Sequence, residues 1–179
     1  MVGDAQVRET SLGAHIDIAF GRHLMKVRDI MTAMPSVVTP SAKVFEAAEI
    51  MKYEEVGCIP VVGDVVSRRL VGLITDRDIS VRCTARRHGV GCDVGGHMTP
   101  VPLQTVLPDA DVALVVSKME AAHVRRIPVV DSDGVLLGIV SEADLAAKLP
   151  EQQALPMHRH FLSAFRPPIA RVHVDAVWS

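Results

Sequence analysis

Gly72-Leu73-Ile74-Thr75-Asp76-Arg77-Asp78 is written again, in kind, as Gly138-Ile139-Val140-Ser141-Glu142-Ala143-Asp144. Both stretches read glycine, two apolar residues, a hydroxyl, two spacers and an aspartate. The apolar run predicts the end of a strand. The hydroxyl, followed three residues later by a carboxylate, predicts the start of a helix. The register extends outward from this stretch. Pro40 matches Pro108, Val44 matches Val112, Met51 matches Met119 and Pro60 matches Pro128 at a separation of 68, and Met31-Thr32 matches Met98-Thr99 at 67. Gly72 and Gly138, like Asp78 and Asp144, stand 66 apart. Such drift is a loop-length difference of one or two residues, which surface loops tolerate. Copies of roughly 60 residues exceed the ~20–50-residue solenoid unit and are small for independent cores. The chain is expected to be one unit built from a duplicated small domain.

Each copy carries the same order of elements. A short helical turn ends at Met31-Thr32 or Met98-Thr99. A brief β segment follows at Val37-Val38-Thr39, or over Leu103 to Val106. A helix then starts after Pro40 or Pro108, with Ser41 or Asp109 as its N-cap. Its apolar positions are Val44, Ala47, Ala48 and Met51, or Val112, Val115, Val116 and Met119. They fall at i, i+3, i+4, i+7 and define one buried face, so the methionines are read as core. Two hairpins come next: Cys58 to Val62 with Leu70 to Ile74, and Arg126 to Val130 with Val135 to Val140. Asp131-Ser132-Asp133-Gly134 has the composition of a tight turn. A last helix begins at Thr75 or Ser141. The predicted fold class is α/β (α+β): two tandem β-α-β-β-α repeats packed with pseudo-twofold symmetry. The boundaries are residues 1–24 for an N-terminal extension, 25–86 for the first domain, 87–92 for a connector, 93–148 for the second domain and 149–179 for a C-terminal tail. Met25 is a second reasonable start, so residues 1–24 read as an extension of little structural weight or as an added arm. Arg171 to Trp178 alternates as a short strand would.

Composition narrows the function classes. Hydrophobic residues make up 49% of the 179 and aromatics 3%, so the core must be Val, Ile, Leu, Ala and Met. A net charge of -2 gives no global reason to expect nucleic acid or an anionic membrane as partner. The apolar runs fall far below a membrane span, and the N-terminus lacks a signal-peptide layout. Three cysteines do not make a disulfide framework. The protein reads as soluble and cytoplasmic, with no nucleic acid and no membrane among its partners.

The repeated motif allows two chemistries. Hydroxyl and carboxylate at this spacing form a capping box, which satisfies free amides at a helix start. The same groups suit a ligand: a helix N-terminus favours phosphate, and a carboxylate accepts two hydrogen bonds from a ribose diol. For either copy alone the two readings balance; finding the pattern twice in register raises the second.

With Asp29-Ile30-Met31-Thr32, the strands Ile59-Pro60-Val61-Val62 and Ile127-Pro128-Val129-Val130, and both motifs in view, residues 25–148 resemble a tandem pair of cystathionine-β-synthase (CBS) domains, the Bateman module. The resemblance implies a non-enzymatic regulatory sensor. It implies AMP, ADP, ATP or S-adenosylmethionine as regulatory ligand in clefts between the two domains, with no required cofactor. It implies that Asp78 and Asp144 bond the ribose hydroxyls and that Thr75 and Ser141 approach ribose or phosphate. Val38 and Thr39 with Cys58, Ile59 and Pro60, and Thr105 and Val106 with Ile127 and Pro128, would enclose the base. Arg77, Arg125 and Arg126 are candidates for the phosphate. The resemblance also implies a homodimer and an unidentified regulated protein addressed in trans, since no catalytic domain is attached. The alternative is a ligand-free interaction or stress-response protein whose motif residues only cap helices. If one site fills, the second is favoured, because Arg125-Arg126 stands upstream of it.

The remaining polar residues are expected to be structural. Strand alternation should turn Arg125 and Arg126 to opposite faces, so at most one enters a given cleft. Arg77 and Arg82 should lie on an exposed helix face. Cys83, His88 and Cys92 have no recognised zinc spacing and lack a fourth ligand; a Cys83–Cys92 disulfide is disfavoured in the cytoplasm. Cys58 is read as a small core residue. His158-Arg159-His160 is read as solvated tail rather than a metal site. No nucleophile elbow or triad supports catalysis.

Overall fold

The computed structural model describes residues 25–89 and 91–149. The expectations placed on residues 1–24 and on the tail beyond Leu149, His158, His160 and the 171–178 strand included, lie outside the described residues.

Two three-stranded antiparallel sheets carry the fold. In the first repeat β2 (Cys58–Val62) pairs with β3 (Leu70–Thr75); in the second β5 (Arg126–Val130) pairs with β6 (Leu136–Ser141). These are the predicted hairpins. The third strand of each sheet comes from the other repeat. β1 (Thr32–Ala33) pairs with β6, Thr32 opposite Ile139 and Ala33 opposite Gly138. β4 (Thr99–Pro100) pairs with β3, Thr99 opposite Leu73 and Pro100 opposite Gly72. The entry segments are thus exchanged, and the exchange is reciprocal, which makes the pseudo-twofold relation of the repeats. Helix α1 (Val27–Ile30) stops before Met31, and the second copy has only a 3-10 turn at Val94–Gly96. Thr32 and Thr99 therefore begin strands rather than ending helical turns.

The motif glycines sit where the exchanged segments cross. A Cβ on Gly72 would lie 2.8 Å from both Met98 Sδ and Thr99 O; on Gly138 it would lie 2.6 Å from Met31 Sδ and 2.9 Å from Thr32 O. Only a residue without a Cβ lets the opposite entry strand approach so closely.

The short β segments predicted before each main helix reduce to single parallel bridges, Val38 to Val61 and Val106 to Val129. Val38 N–H donates to Pro60 O at 3.2 Å, and Val62 N–H donates to Val38 O at 2.9 Å. The next donor in that ladder would be residue 40, or residue 108 in the second copy. Both are proline and have no N–H, so pairing ends there.

The main helices are α2 (Val44–Tyr53) and α4 (Val112–Ala122). Their predicted inner faces are buried at Val44, Ala47, Met51, Val112, Val115, Val116 and Met119. The N-caps fall two residues later than predicted, at Lys43 and Asp111. The cause is tertiary. Lys43 bridges to Asp93 and Asp111 bridges to Lys26, so the chain stays extended through both positions. The first helical amides then bond across the exchange: Val44 N–H to Cys92 O at 2.8 Å and Val112 N–H to Met25 O at 3.1 Å. Ser41 instead shares a hydrogen bond with Thr39, and Asp109 pairs with Arg28.

Each core draws on both repeats. One groups Val38, Ala47, Met51, Ile59, Val61 and Ile74 with Val94 from the second entry segment. The other groups Val112, Val115, Val116, Met119, Ile127, Val129, Val140 and Leu145 with Val27 and Ile30 from the first. Val62, Leu70, Val130 and Leu136 join the two hairpins, and Leu70 N–H donates to Gly134 O while Leu136 N–H donates to Arg68 O. Among the described residues the buried hydrophobics include no aromatic side chain, as the composition required.

Candidate functional site

Both motifs close as capping boxes. Thr75 N–H and Oγ1–H donate to Asp78 Oδ2 at 3.0 and 2.7 Å, and Asp78 N–H donates to Thr75 Oγ1 at 3.1 Å. Ser141 and Asp144 repeat this at 2.9, 2.6 and 3.1 Å. Thr75 leads into the short helix α3 (Asp76–Asp78), continued by a π-helical turn over Ile79–Cys83; Ser141 leads into α5 (Glu142–Lys148). The second carboxylate oxygen differs between the copies. Asp78 Oδ1 meets Arg82 Nε at 3.3 Å. Asp144 Oδ1 accepts from Thr32 Oγ1 at 3.3 Å, with Lys148 Nζ at 3.6 Å. Arg82 and Lys148 also hold the exchanged entry segments: Arg82 donates to His97 O and Met98 O, and Lys148 donates to Ile30 O. Arg82, expected on a solvated face, is a tie between the repeats.

A cleft of about 520 Å³ opens beside the second motif, within the size range of small-molecule sites. Ser141, Glu142 and Asp144 form one wall, Gly57 to Pro60 of the first repeat another, and Thr32, Pro35 and Ser36 of the exchanged entry a third. Arg125 and Arg126 both line it, against the expectation that only one would. Strand alternation applies from Arg126 onward; Arg125 precedes the strand and is free of it. Arg125 Nε lies 3.7 Å from Glu142 Oε2. Arg126 reaches over Gly57, where a Cβ would stand 3.2 Å from Arg126 Nη2 and 2.9 Å from Asp76 Oδ2.

The structure thus gathers Ser141, Asp144, Cys58, Ile59, Pro60, Arg125 and Arg126 around one space. Thr75, Asp78 and Arg77 lie at the first motif, outside it, as do Val38, Thr39, Thr105, Val106, Ile127 and Pro128. The Ile127 side chain is fully buried in the second core, and Val38 and Val106 are also buried. Thr32, Ser36, Glu54, Glu55 and Gly57 line the cleft without having been singled out. Only Thr32 carried a signal, through its register with Thr99. Burial pushes the Cys58 thiol up to about 12, with Arg126 opposing and Asp78 and Asp76 reinforcing the shift. At neutral pH it is a protonated core thiol and a poor nucleophile.

A second group gathers outside the cleft. The donor atoms of Cys83, Cys92 and His97 all lie within 4.8 Å of one another. His97 had no place in the sequence reading, because it falls beyond the connector. Burial and the Cys92 thiol raise the Cys83 thiol above its ordinary value. No helix among the described residues is long and apolar enough to cross a membrane.

The CBS domain family model matches residues 27–82 and 90–151. Hypoxic response protein 1 of Mycobacterium tuberculosis is 34% identical over 143 residues, covering 80% of this chain and 95% of that protein. A crystal structure of Hypoxic Response Protein I with two coordinated zinc ions matches with a TM-score of 0.63 at 33% identity, covering 70% of this chain and 100% of that one. CBSX2 in complex with AMP matches at a TM-score of 0.58 and 30% identity, covering 66% and 91%. The CBS domain pair of MJ0100, in complex with 5′-methylthioadenosine and S-adenosyl-L-methionine, matches at 0.60 and 29%, covering 69% and 94%.

Proposed function

The chain belongs to the CBS domain family, and we propose that it is a regulatory module that binds an adenosine-containing ligand in the cleft beside Ser141 and Asp144. The single observation that carries this is the convergence of a ribose-competent carboxylate, a helix N-terminus and two guanidinium groups on one space. Asp144 would accept from the ribose diol, Ser141 and the first amides of α5 would face ribose or phosphate, and the Gly57–Pro60 backbone would border the base. Arg126, which lines the cleft and reaches over Gly57, is the phosphate partner of first choice. Structural relatives with AMP, or with methylthioadenosine and S-adenosylmethionine, support the ligand class.

The charge balance narrows that class. Glu54, Glu55, Glu142 and Asp144 line the cleft against Arg125 and Arg126. A ligand of low negative charge meets less repulsion there than one carrying a triphosphate. AMP and S-adenosylmethionine are therefore favoured over ATP.

In this reading the CBS pair regulates without chemistry of its own, and the buried Cys58 thiol offers no nucleophile in the cleft. Ligand would act by favouring one placement of the exchanged repeats over another, which requires different affinity for the two. The readout is a partner protein or a second copy; Phe45, Tyr53 and Leu114 present exposed apolar surface on α2 and α4 for such pairing.

One observation favours a second reading. Ser141 and Asp144 close a capping box on each other, so they have a structural role of their own. Isothermal titration with AMP, S-adenosylmethionine and ATP separates the two. The sensor reading predicts saturable heat with AMP or S-adenosylmethionine, weaker with ATP, and lost in Asp144→Asn and Arg126→Ala. Absence of heat and of any thermal shift at millimolar ligand would refute it in favour of capping alone.

A further inference from the structure

We propose that the segment joining the two repeats is a zinc site, with Cys83, Cys92 and His97 as ligands and His88 as the fourth donor. Thiolate and imidazole are the donor set that zinc takes in closed, four-coordinate sites. Zn–S bonds of about 2.3 Å and Zn–N bonds of about 2.0–2.1 Å place tetrahedral donors roughly 3.4–3.8 Å apart. The three donor atoms already lie within 4.8 Å of one another, so closing on an ion needs side-chain adjustment and no refolding. The His88 ring stands against His97, centroids 5.4 Å apart and tilted by 58°, which puts a second imidazole next to that of His97 and makes it the candidate to complete the set.

Burial points the same way. Among the described residues His97 is the sole buried polar or charged residue, and Cys83 is buried beside it. A buried imidazole is costly unless a partner satisfies it, and two sulfurs lie within 4.8 Å of one of its nitrogens. Backbone bonds hold the donors in place. His88 N–H donates to Cys83 O at 3.1 Å, Cys92 N–H to Gly89 O at 3.1 Å and His97 N–H to Val94 O at 2.9 Å. Arg82 grips His97 O and Met98 O while pairing with Asp78. An ion here would staple the end of the first repeat to the entry segment of the second, next to the first motif.

The test uses the full chain, reduced and stripped of metal, titrated with Co²⁺. The expected result is one Co²⁺ per chain, with thiolate-to-cobalt charge transfer in the near ultraviolet, intense visible bands of tetrahedral geometry and displacement by Zn²⁺. Cys92→Ser and His97→Gln should abolish the charge-transfer signal or weaken binding at least tenfold, while the double variant His158→Ala/His160→Ala should leave it intact. Zn²⁺ should also slow trypsin cleavage after Arg86 and Arg87, which lie exposed inside the loop that the ion closes. His88→Ala should alter the visible bands; unchanged bands overturn His88 as the fourth donor. Weak absorption of octahedral type in the wild type, or full charge transfer in Cys92→Ser, overturns the site itself.

Discussion

Gly138→Ala should loosen the union of the two repeats. The new methyl would stand 2.6 Å from Met31 Sδ and 2.9 Å from Thr32 O. The thioether can swing aside. The Thr32 carbonyl belongs to β1 and moves only if the β1–β6 pairing moves with it. Forcing a methyl into such a contact costs about 1–3 kcal/mol. The alanine also removes freedom from the unfolded chain, which returns about 0.4–1 kcal/mol. The net loss is about 1–2 kcal/mol, a fall in Tm of several degrees. Gly96→Ala is the control, because nothing lies within 4 Å of its added Cβ; it should match or slightly exceed the wild type. Urea unfolding followed by circular dichroism, with m unchanged, measures both. If Gly138→Ala is as stable as Gly96→Ala, the close approach of the exchanged strand does not demand the glycine, and the account of the motif given by this fold is wrong. The experiment needs no ligand, so it isolates the architectural role of Gly138 from any binding role.

Three further outcomes follow from the same contacts. Thr75→Ala and Ser141→Ala each remove a side chain that accepts from an N3 amide and should cost about 0.5–2 kcal/mol in urea unfolding. Ile127→Ala empties a fully buried position in the second core and should cost about 2–5 kcal/mol, whereas Arg28→Ala, at a pair more than half exposed, should cost less than about 1 kcal/mol. Cys58 sets a pH dependence. Its thiol is held up to about 12 in the fold against an ordinary value of 9.0, so the unfolded chain releases the proton first as pH rises. The stability of the wild type relative to Cys58→Ala should therefore be flat below about pH 9 and fall above it by up to about 1.4 kcal/mol per pH unit; a flat difference through that window would show that the thiol is not buried as described.

The first motif and the second, so alike in sequence, diverge in what surrounds them. Asp78 is held by Arg82 and Asp144 by Thr32, and the cleft opens beside Asp144. The preference for the second copy rested on Arg125-Arg126, and both arginines do reach that cleft. The reasoning that only one would reach it failed because alternation governs paired strand residues and Arg125 lies outside the ladder. Val106 and Ile127 lie away from the cleft beside Asp144, within the core of the second repeat.

The sequence by itself determined the duplication, the two hairpins, the inner faces of α2 and α4 and the capping role of Thr75-Asp78 and Ser141-Asp144. These are local facts: a period of 3.6 or 2, a turn residue, a hydroxyl three places from a carboxylate. Only the tertiary structure decided that each entry segment crosses to the opposite sheet, that the helices start two residues late and that His97 joins Cys83 and Cys92. Each of these depends on contacts between residues distant along the chain. Gly72 and Gly138 show the division within one motif: the letter was plain in the sequence, but the strand that makes the glycine necessary comes from the other repeat.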